Sequence, residues 1–553
     1  MRNDGNRRVP IDWFPAYSAT WYMSSEVKQL DTWESLTFRP MSYPLDSARV
    51  VSLSSRLHSS DNRPERGWNP FWAVRMADGS RAMFAIEWCG GWKAFLSASE
   101  NYLYFDVRLP HADSQLTLNP GEEVHGPIVH VTFLPPGPER DQRAQWMHSR
   151  AALAESLYGG PGPSYPFTYN NWYETRFDFD GDFISRQVAA MAPYDFDAFI
   201  VDAGWYTSVS DYTPDTAKFA EGQFEGIMAQ IAEAGVTPGI WSCPQFLHGE
   251  ADTAAADLGP TLDVPGQFEP FIHGWLRDLA GMDFTPFLKD HVAMLRERYH
   301  AGWWKYDQIL FASETRHGAM KNVIAFQEAL KAVRAAQPDL YIENCQSGGR
   351  MLNEFTVLAT QTQWILDGGA SGMPIIRRNI ESGLRALEFL PPWTVSRWSN
   401  RPWDMEVNDE MTRALCRSAM MGVWGIVSDL DKITPAQRAT ILRQRDHYRR
   451  LNELKAACRY DVVPPVDDTP FAYVTFYDAA GANAGILCFR WDARGDTTCE
   501  IPLEGLDAAK VYAIADVDAA TNVTFSGQQL IEEGYAIPFP EGRLSALVWI
   551  DGS

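Results

Sequence analysis

The run Ala301-Gly302-Trp303-Trp304-Lys305-Tyr306-Asp307-Gln308 ends in an ionisable pair, Lys305 and Asp307, spaced two residues apart. Its aromatic content and its helix-like flanks predict a short β-strand. Alternate side chains on a strand share a face, so the ammonium of Lys305 could hold Asp307 ionised, as an attacking carboxylate must be. A second carboxyl, Asp367, follows Gln363-Trp364-Ile365-Leu366 and precedes Gly368-Gly369-Ala370-Ser371-Gly372. That is a strand end before a glycine-rich loop, where a ligand can approach. To act as a general acid Asp367 would have to keep its proton, through burial or the field of Asp307. Two carboxyl groups on opposite sides of an anomeric carbon are what glycosidic cleavage requires; in the retaining arrangement they lie about 5–5.5 Å apart. On these residues alone, a Lys-Asp pair closing a strand and an Asp capping a loop stay open.

Positioning such groups calls for a frame. Strand-like runs recur at 166–171, 198–203, 237–242, 303–308, 340–344, 362–366, 393–398 and 424–428. Helical patterns lie between them at 183–190, 224–234, 287–299 and 321–336, with another at 434–454. Eight strands with crossover helices predict a (β/α)8 TIM barrel, although periodicity alone leaves other α/β folds open. Active sites of such barrels lie at the carboxyl ends of the strands. Asn171, Glu174, Asp202, Trp205, Trp241, Asn344, Cys345, Arg350, Arg397, Trp398 and Asp429 are predicted there beside Lys305, Asp307 and Asp367. Carboxylates, amides and cations bind hydroxyl groups, and indole rings cover the C–H face of a sugar. Gly348-Gly349 would let backbone approach a ligand. Cys345 has no nearby His base and reads as a packed thiol rather than a nucleophile. The interval from about 243 to 287 is expected to form an excursion over the barrel mouth.

The flanks differ from this middle. Residues 11–158 carry many short β patterns and a closing helix from Glu139 to Leu157, and Gly159-Gly160-Pro161-Gly162-Pro163-Ser164 marks a boundary. The barrel is expected over 165–458, and 462–553 reads as a smaller antiparallel β unit. The chain is therefore multidomain, as its 553 residues require. A formal charge of -23 argues against nucleic acid as a partner. No apolar run of membrane-spanning length is found. Seven scattered cysteines without zinc spacing fit a reducing, cytoplasmic setting. His125, His130 and His317 are not spaced as metal ligands. Homo-oligomer formation is left open.

The chain resembles family 36 glycoside hydrolases, the α-galactosidase-like group of the melibiase clan. Lys305-Tyr306-Asp307 is similar to the family's Lys-Trp-Asp motif, and Trp364-Ile365-Leu366-Asp367 to its Trp-x-Ser-Asp segment. Glu343-Asn344-Cys345-Gln346-Ser347-Gly348-Gly349-Arg350 looks like its sugar-binding cysteine loop. Asn170-Asn171-Trp172-Tyr173-Glu174 and Val201-Asp202-Ala203-Gly204-Trp205 resemble the first two barrel strands. The resemblance implies an N-terminal β-supersandwich, a central barrel and a C-terminal β-sandwich. It implies Asp307 as nucleophile, Asp367 as general acid/base, and Asp202, Trp205, Trp241, Lys305, Asn344, Cys345, Gly348, Arg350 and Trp398 as sugar contacts. The implied activity is retaining, exo-acting cleavage of terminal α-linked sugars in an oligosaccharide or glycoside, with α-D-galactosides first and no cofactor or metal. Departures are equally plain. Ala203 replaces a second acid, Gln245 stands where an acid is usual, and Asn353 replaces an aspartate. These keep open an α-N-acetylgalactosaminidase or other α-glycosidase of the clan, a raffinose-type transglycosylase, and an inactive carbohydrate-binding relic.

Overall fold

A computed structural model of the chain describes residues 2–11, 15–35, 37–45, 50–55, 67–109, 116–209, 212–248, 261–264, 274–307, 309, 318–368, 372–400, 409–466, 469–491, 497–519 and 521–553. Its centre is a closed barrel of eight parallel strands. In chain order these are β1 (Phe167–Asn170), β2 (Ala198–Val201), β3 (Thr237–Ser242), β4 (Trp303–Tyr306), β5 (Tyr341–Asn344), β6 (Thr362–Trp364), β7 (Val395–Asn400) and β8 (Val423–Val427). β8 closes on β1 with Phe167 opposite Trp424 and Thr168 opposite Gly425. All eight predicted strands are present. β7 starts later than its pattern suggests, because Pro392–Thr394 form a 3-10 turn in which Thr394 Oγ1 donates to Pro391 O at 2.8 Å.

Polarity along the barrel interior changes with height. Near the bottom, Ala198, Ile200 and Trp303 form an apolar plug, with Tyr341 stacked on Trp303 at 3.8 Å. Two residues up β4 comes Lys305, and two further comes Asp307, just beyond the strand. The period of two thus carries one face of a strand from core to site. The predicted helices also form, as Gly181–Ala190, Gln223–Glu233, Phe284–Tyr299, Gly318–Ala336 and Pro435–Lys455. Thr434 and Gln437 make a reciprocal capping box at the start of the last one, with Pro435 in its first turn. Met373–Ala386 and Asp409–Ala419 are helices that the sequence reading did not single out. The excursion after β3 is a three-stranded antiparallel sheet of Phe246–His248, Gly274–Arg277 and Thr261–Val264.

Before the barrel, a five-stranded and a four-stranded antiparallel sheet face each other. Rings interleave between them: Trp72 lies 5.8 Å from Trp92, and Phe84 lies 4.9 Å from Phe105. After the barrel, a six-stranded sheet buries both faces. In Asn483–Arg490, Ile486 and Cys488 join the core beneath the two-stranded sheet of Thr498–Ile501 and Tyr535–Pro538. Leu487 and Phe489, on the other face, join the barrel-side core with Leu451 and Leu454 of the last barrel helix. Short antiparallel sheets thus flank the barrel on both sides, as the patterns at the two ends of the chain predict.

Phe389, fully buried, ties the N-terminal sheets to the barrel. Its ring packs on Trp33 at 4.8 Å, Phe71 at 5.3 Å and Phe38 at 5.9 Å, and its carbonyl accepts from Trp146 Nε1 at 3.0 Å. Nearby, Arg150 pairs with the buried Glu354 and lies over the Trp146 ring. Phe389→Ala is expected to destabilise this junction by about 3–5 kcal/mol. Calorimetry should then separate the melting of the N-terminal sheets from that of the barrel. A single transition at the wild-type midpoint would show that the junction does not depend on this ring.

Candidate active site

The barrel mouth holds a cleft open to solvent, with about 500 Å³ of empty space when the open solvent at its entrance is included. Asp307 and Asp367 both line it, together with Asp202, Trp241, Lys305 and Cys345. These six come from β2, β3, β4, β5 and the segment after β6, at the carboxyl ends of the strands. The remaining lining is Trp172, Phe177, Ala203 and Tyr206.

Lys305 does not pair with Asp307 directly, as the alternation on β4 had suggested. Its Nζ donates to Asp202 Oδ2 at 2.7 Å, and both side chains are almost wholly buried. The ammonium also sits 3.4 Å from the centre of the Trp364 ring. Burial works against its charge most strongly of any single cause, yet Asp202, Cys345 and Glu343 together outweigh it and hold Lys305 above the ordinary lysine range. Asp202 is itself fixed from β1: Asn170 Nδ2 donates to its Oδ2 at 2.6 Å, and its backbone N donates to Asn171 Oδ1 at 2.8 Å.

Asp307 accepts from Ser347 N at 2.8 Å on Oδ1 and from Trp241 Nε1 at 3.2 Å on Oδ2. Burial, then the charge of Asp367, push its carboxyl above the usual range. Lys305 and the two donors pull it back. Of the two ways offered for Asp367 to keep its proton, burial falls instead on Asp307, which leaves the field of Asp307. Asp307 is buried, whereas Asp367 is exposed. Asp367 Oδ1 accepts from Tyr173 Oη at 3.0 Å and from Trp364 Nε1 at 2.9 Å.

The turn after β5 supplies the Ser347 amide at a conformational cost. Gln346, Ser347, Gly348 and Gly349 have φ of 49°, 51°, 82° and 81°. Two non-glycine residues in the left-handed region cost on the order of 1–2 kcal/mol each. A Cβ on Gly348 would lie 2.1 Å from Asp367 N, and one on Gly349 would lie 2.6 Å from Ile365 O. Glycine here lets the β5 turn lie directly on the segment that carries Asp367. The two carboxylates are thereby held by one pair of touching backbones.

Several predicted contacts sit behind the cavity. Trp205 is fully buried, stacked on Phe224 with a 5° interplanar angle, and donates to Trp241 O at 3.1 Å. Gly204, at φ 108°, turns the chain so that Tyr206, the residue after Trp205, faces the cavity and stacks on Trp241 instead. Trp398 backs Trp364, with ring centres 3.4 Å apart. Asn344 points away from the cavity and donates to Gln363 Oε1 at 2.6 Å and to Met351 O at 3.1 Å. Gly348 serves backbone packing, and Arg350 ends the β5 turn without lining the cavity.

Away from the cavity lining, Glu174 accepts from Lys432, Asp429 accepts from Gln187, and Asn353 caps the helix Glu354–Ala359. His130 pairs with Glu87, and His125 is exposed. Gln308, His317 and Gly369–Ser371 lie outside the described residues. Sequence reasoning missed Trp172, Tyr173, Phe177 and Tyr206. The aromatic density around Asn170–Phe179 was the signal for the first three, and Tyr206 directly follows the Val201–Trp205 run.

A family model described as Melibiase matches residues 149–457, more than half of the chain. The chain belongs to the melibiase family. This family member is 21% identical over 509 residues to the α-galactosidase Mel36A of Lactobacillus acidophilus, covering 87% of this chain and 68% of that protein. It is 20% identical over 454 residues to the α-galactosidase AgaA of Geobacillus stearothermophilus, covering 78% of this chain and 60% of that one. The solved structure of GH36 α-galactosidase AgaA superposes with a TM-score of 0.82 at 17% identity, over 100% of this chain and 78% of AgaA. A doubly substituted variant of AgaA, solved in complex with raffinose, matches equally well. At this identity the superposition demonstrates a shared fold.

The Trp241 indole favours the ionised form of Asp307, which an attacking carboxylate needs. With Asp307 held above its ordinary value of 3.8, the acid limb of kcat/KM is expected above that pH. Trp241→Phe removes a donor to the carboxylate and should move the limb higher still. A limb unmoved or moved lower in a pH–rate profile would rule out this role.

Proposed function

We propose that the chain is a retaining exo-glycosidase that removes terminal α-linked sugars, first among them α-D-galactose, from oligosaccharides and glycosides. The observation that carries this reading is the presence of Asp307 and Asp367 in one cavity, with the β5 turn packed between their segments. The names of the relatives, all α-galactosidases, support the substrate class.

Asp307 attacks the anomeric carbon, and Asp367 protonates the departing oxygen. A β-linked glycosyl-enzyme results. Asp367 then takes a proton from water, which releases the sugar with its α configuration. Lys305 and Asp202 present an ammonium and a carboxylate for hydroxyls. The indoles of Trp172 and Trp241 cover the apolar face of the ring. The units assigned here are 11–158, 165–458 and 462–553, with the middle one catalytic. A reducing, cytoplasmic location fits the seven buried free cysteines. No helix among the described residues is long and apolar enough to cross a membrane.

One observation favours a second reading. Ala203, Phe177 and Tyr206 make the wall beside Asp202 largely apolar. An α-glycosidase of the same clan acting on another sugar, such as an α-N-acetylgalactosaminide, fits that wall.

A panel of chromogenic α-galactoside, α-N-acetylgalactosaminide, α-glucoside and arabinoside substrates separates the two readings by their kcat/KM order. Adding a sugar acceptor exposes any transfer activity. Asp307→Asn should lower turnover by about 10³-fold or more with the fold intact, and NMR of the first-formed product should show the α anomer. Near-normal turnover in that variant, or a β anomer formed first, would sink the mechanism.

A further inference from the structure

From the hydrogen bonds around Asp367 we infer that Tyr173 is the positioning residue of the acid/base: it selects which carboxyl oxygen carries the proton. This rests on the proposed role of Asp367. The Tyr173 hydroxyl accepts from Gly368 N at 2.7 Å and donates to Asp367 Oδ1 at 3.0 Å. The amide hydrogen occupies the hydroxyl oxygen from one side, so the hydroxyl hydrogen is directed at Oδ1. Trp364 Nε1, which can only donate, reaches the same Oδ1 at 2.9 Å. With two donors on it, Oδ1 has no free lone pair for a proton. Placing one there would set a donor against a donor.

The proton therefore belongs on Oδ2. That oxygen has no hydrogen-bond partner among the described residues, and Asp367 is exposed and lines the cavity. In the first step the Oδ2–H bond breaks as the glycosidic oxygen takes the proton together with the C1–O electron pair. Asp307 meanwhile forms the new bond to C1. In the second step water gives its proton back to Oδ2 as its oxygen displaces Asp307.

Tyr173 is well built for this task. It sits on the single helical turn Trp172–Thr175 directly after β1, and that turn is anchored by Trp172 N donating to Asn170 Oδ1 at 2.7 Å. Its ring lies 5.9 Å from both Trp364 and Trp398. The first strand thus reaches across the mouth to orient a group carried by the segment after the sixth. A general acid that can turn either oxygen to the substrate wastes part of its time in the wrong orientation, and proton transfer needs that geometry first.

Tyr173→Phe keeps the ring and removes only the hydroxyl. Two glycosides of the same sugar report on it, one with an alkyl leaving group that needs protonation and one with a dinitrophenolate that does not. The alkyl glycoside is expected to lose about tenfold or more in kcat/KM, and the dinitrophenyl glycoside less than about twofold. Equal losses on both would overturn the inference, because a purely structural defect does not distinguish leaving groups.

A neutron structure of the unmodified protein decides the same point without any variant. The Tyr173 deuteron should lie on the line to Asp367 Oδ1, with no deuteron bound to Oδ1 itself. A deuteron on Oδ1, or a hydroxyl turned elsewhere, overturns the assignment. If the unmodified protein cleaves neither glycoside, the proposed function fails, and the neutron positions still decide whether Tyr173 donates to Asp367 Oδ1.

Discussion

A lysine ammonium buried in the middle of the barrel is the constraint on which the site depends. An unpaired charge there would cost several kcal/mol, so Lys305 must be matched wherever it points. Asp202 from β2 supplies the counter-charge, and the face of Trp364 from β6 supplies a second favourable surface. Both partners do further work. Asp202 is held by two asparagines of the first strand and the residue after it, and Trp364 donates to Asp367. One cation thereby fixes groups from four strand ends, and its field reaches Asp307 two residues further along β4. Glu343, its neighbour across the β4–β5 ladder, is pushed up to about 7 by burial first of all, with Lys305 opposing.

The two carboxylates occupy unlike environments, and the proposed mechanism draws on that difference. Asp307 is enclosed, with an amide and an indole aimed at its oxygens, which suits an anion that attacks one atom from one direction. Asp367 is open on one side and donated to on the other, which suits a group that passes a proton to a leaving group and later takes one from water. The β5 turn makes both environments at once. Its left-handed run aims the Ser347 amide at Asp307, while its glycines lie against the backbone of Asp367. Local strain is spent where it brings two strand ends together.

Recognition is less symmetrical than chemistry. The cavity lining combines one set of charged groups, Lys305, Asp202 and the two carboxylates, with a second set of Trp172, Phe177, Ala203, Tyr206 and Trp241. A hydroxyl-rich edge of a sugar suits the first set, and C–H surface or an apolar substituent suits the second. The family membership of residues 149–457 speaks to the barrel, and the curated relatives extend well beyond the length this chain covers. The proposed reacting groups and the sugar they would act on are therefore separate questions, answered by different groups lining one cavity.

Much of this was legible in the sequence. Eight apolar runs with crossover helices point to a parallel sheet covered on both faces, because such strands are apolar throughout, while closure into a barrel was one of the α/β arrangements that pattern left open. The order of those runs, together with period-two alternation, places Lys305, Asp307, Asp202 and Trp241 at the mouth. What neighbouring side chains do to one another was not legible. Whether Trp205 or Tyr206 faces the ligand turns on one glycine at positive φ. Whether Lys305 pairs with Asp307 or Asp202 depends on distances across the barrel. That Tyr173 meets Asp367 requires the first strand and the segment after the sixth to converge, 194 residues apart in the chain. Sequence determines which strand end carries each reactive group, since that follows from local pattern. Only the tertiary structure decides which groups touch, since a closed barrel sets residues distant in sequence side by side and each buried polar group takes the partner that closure brings within reach.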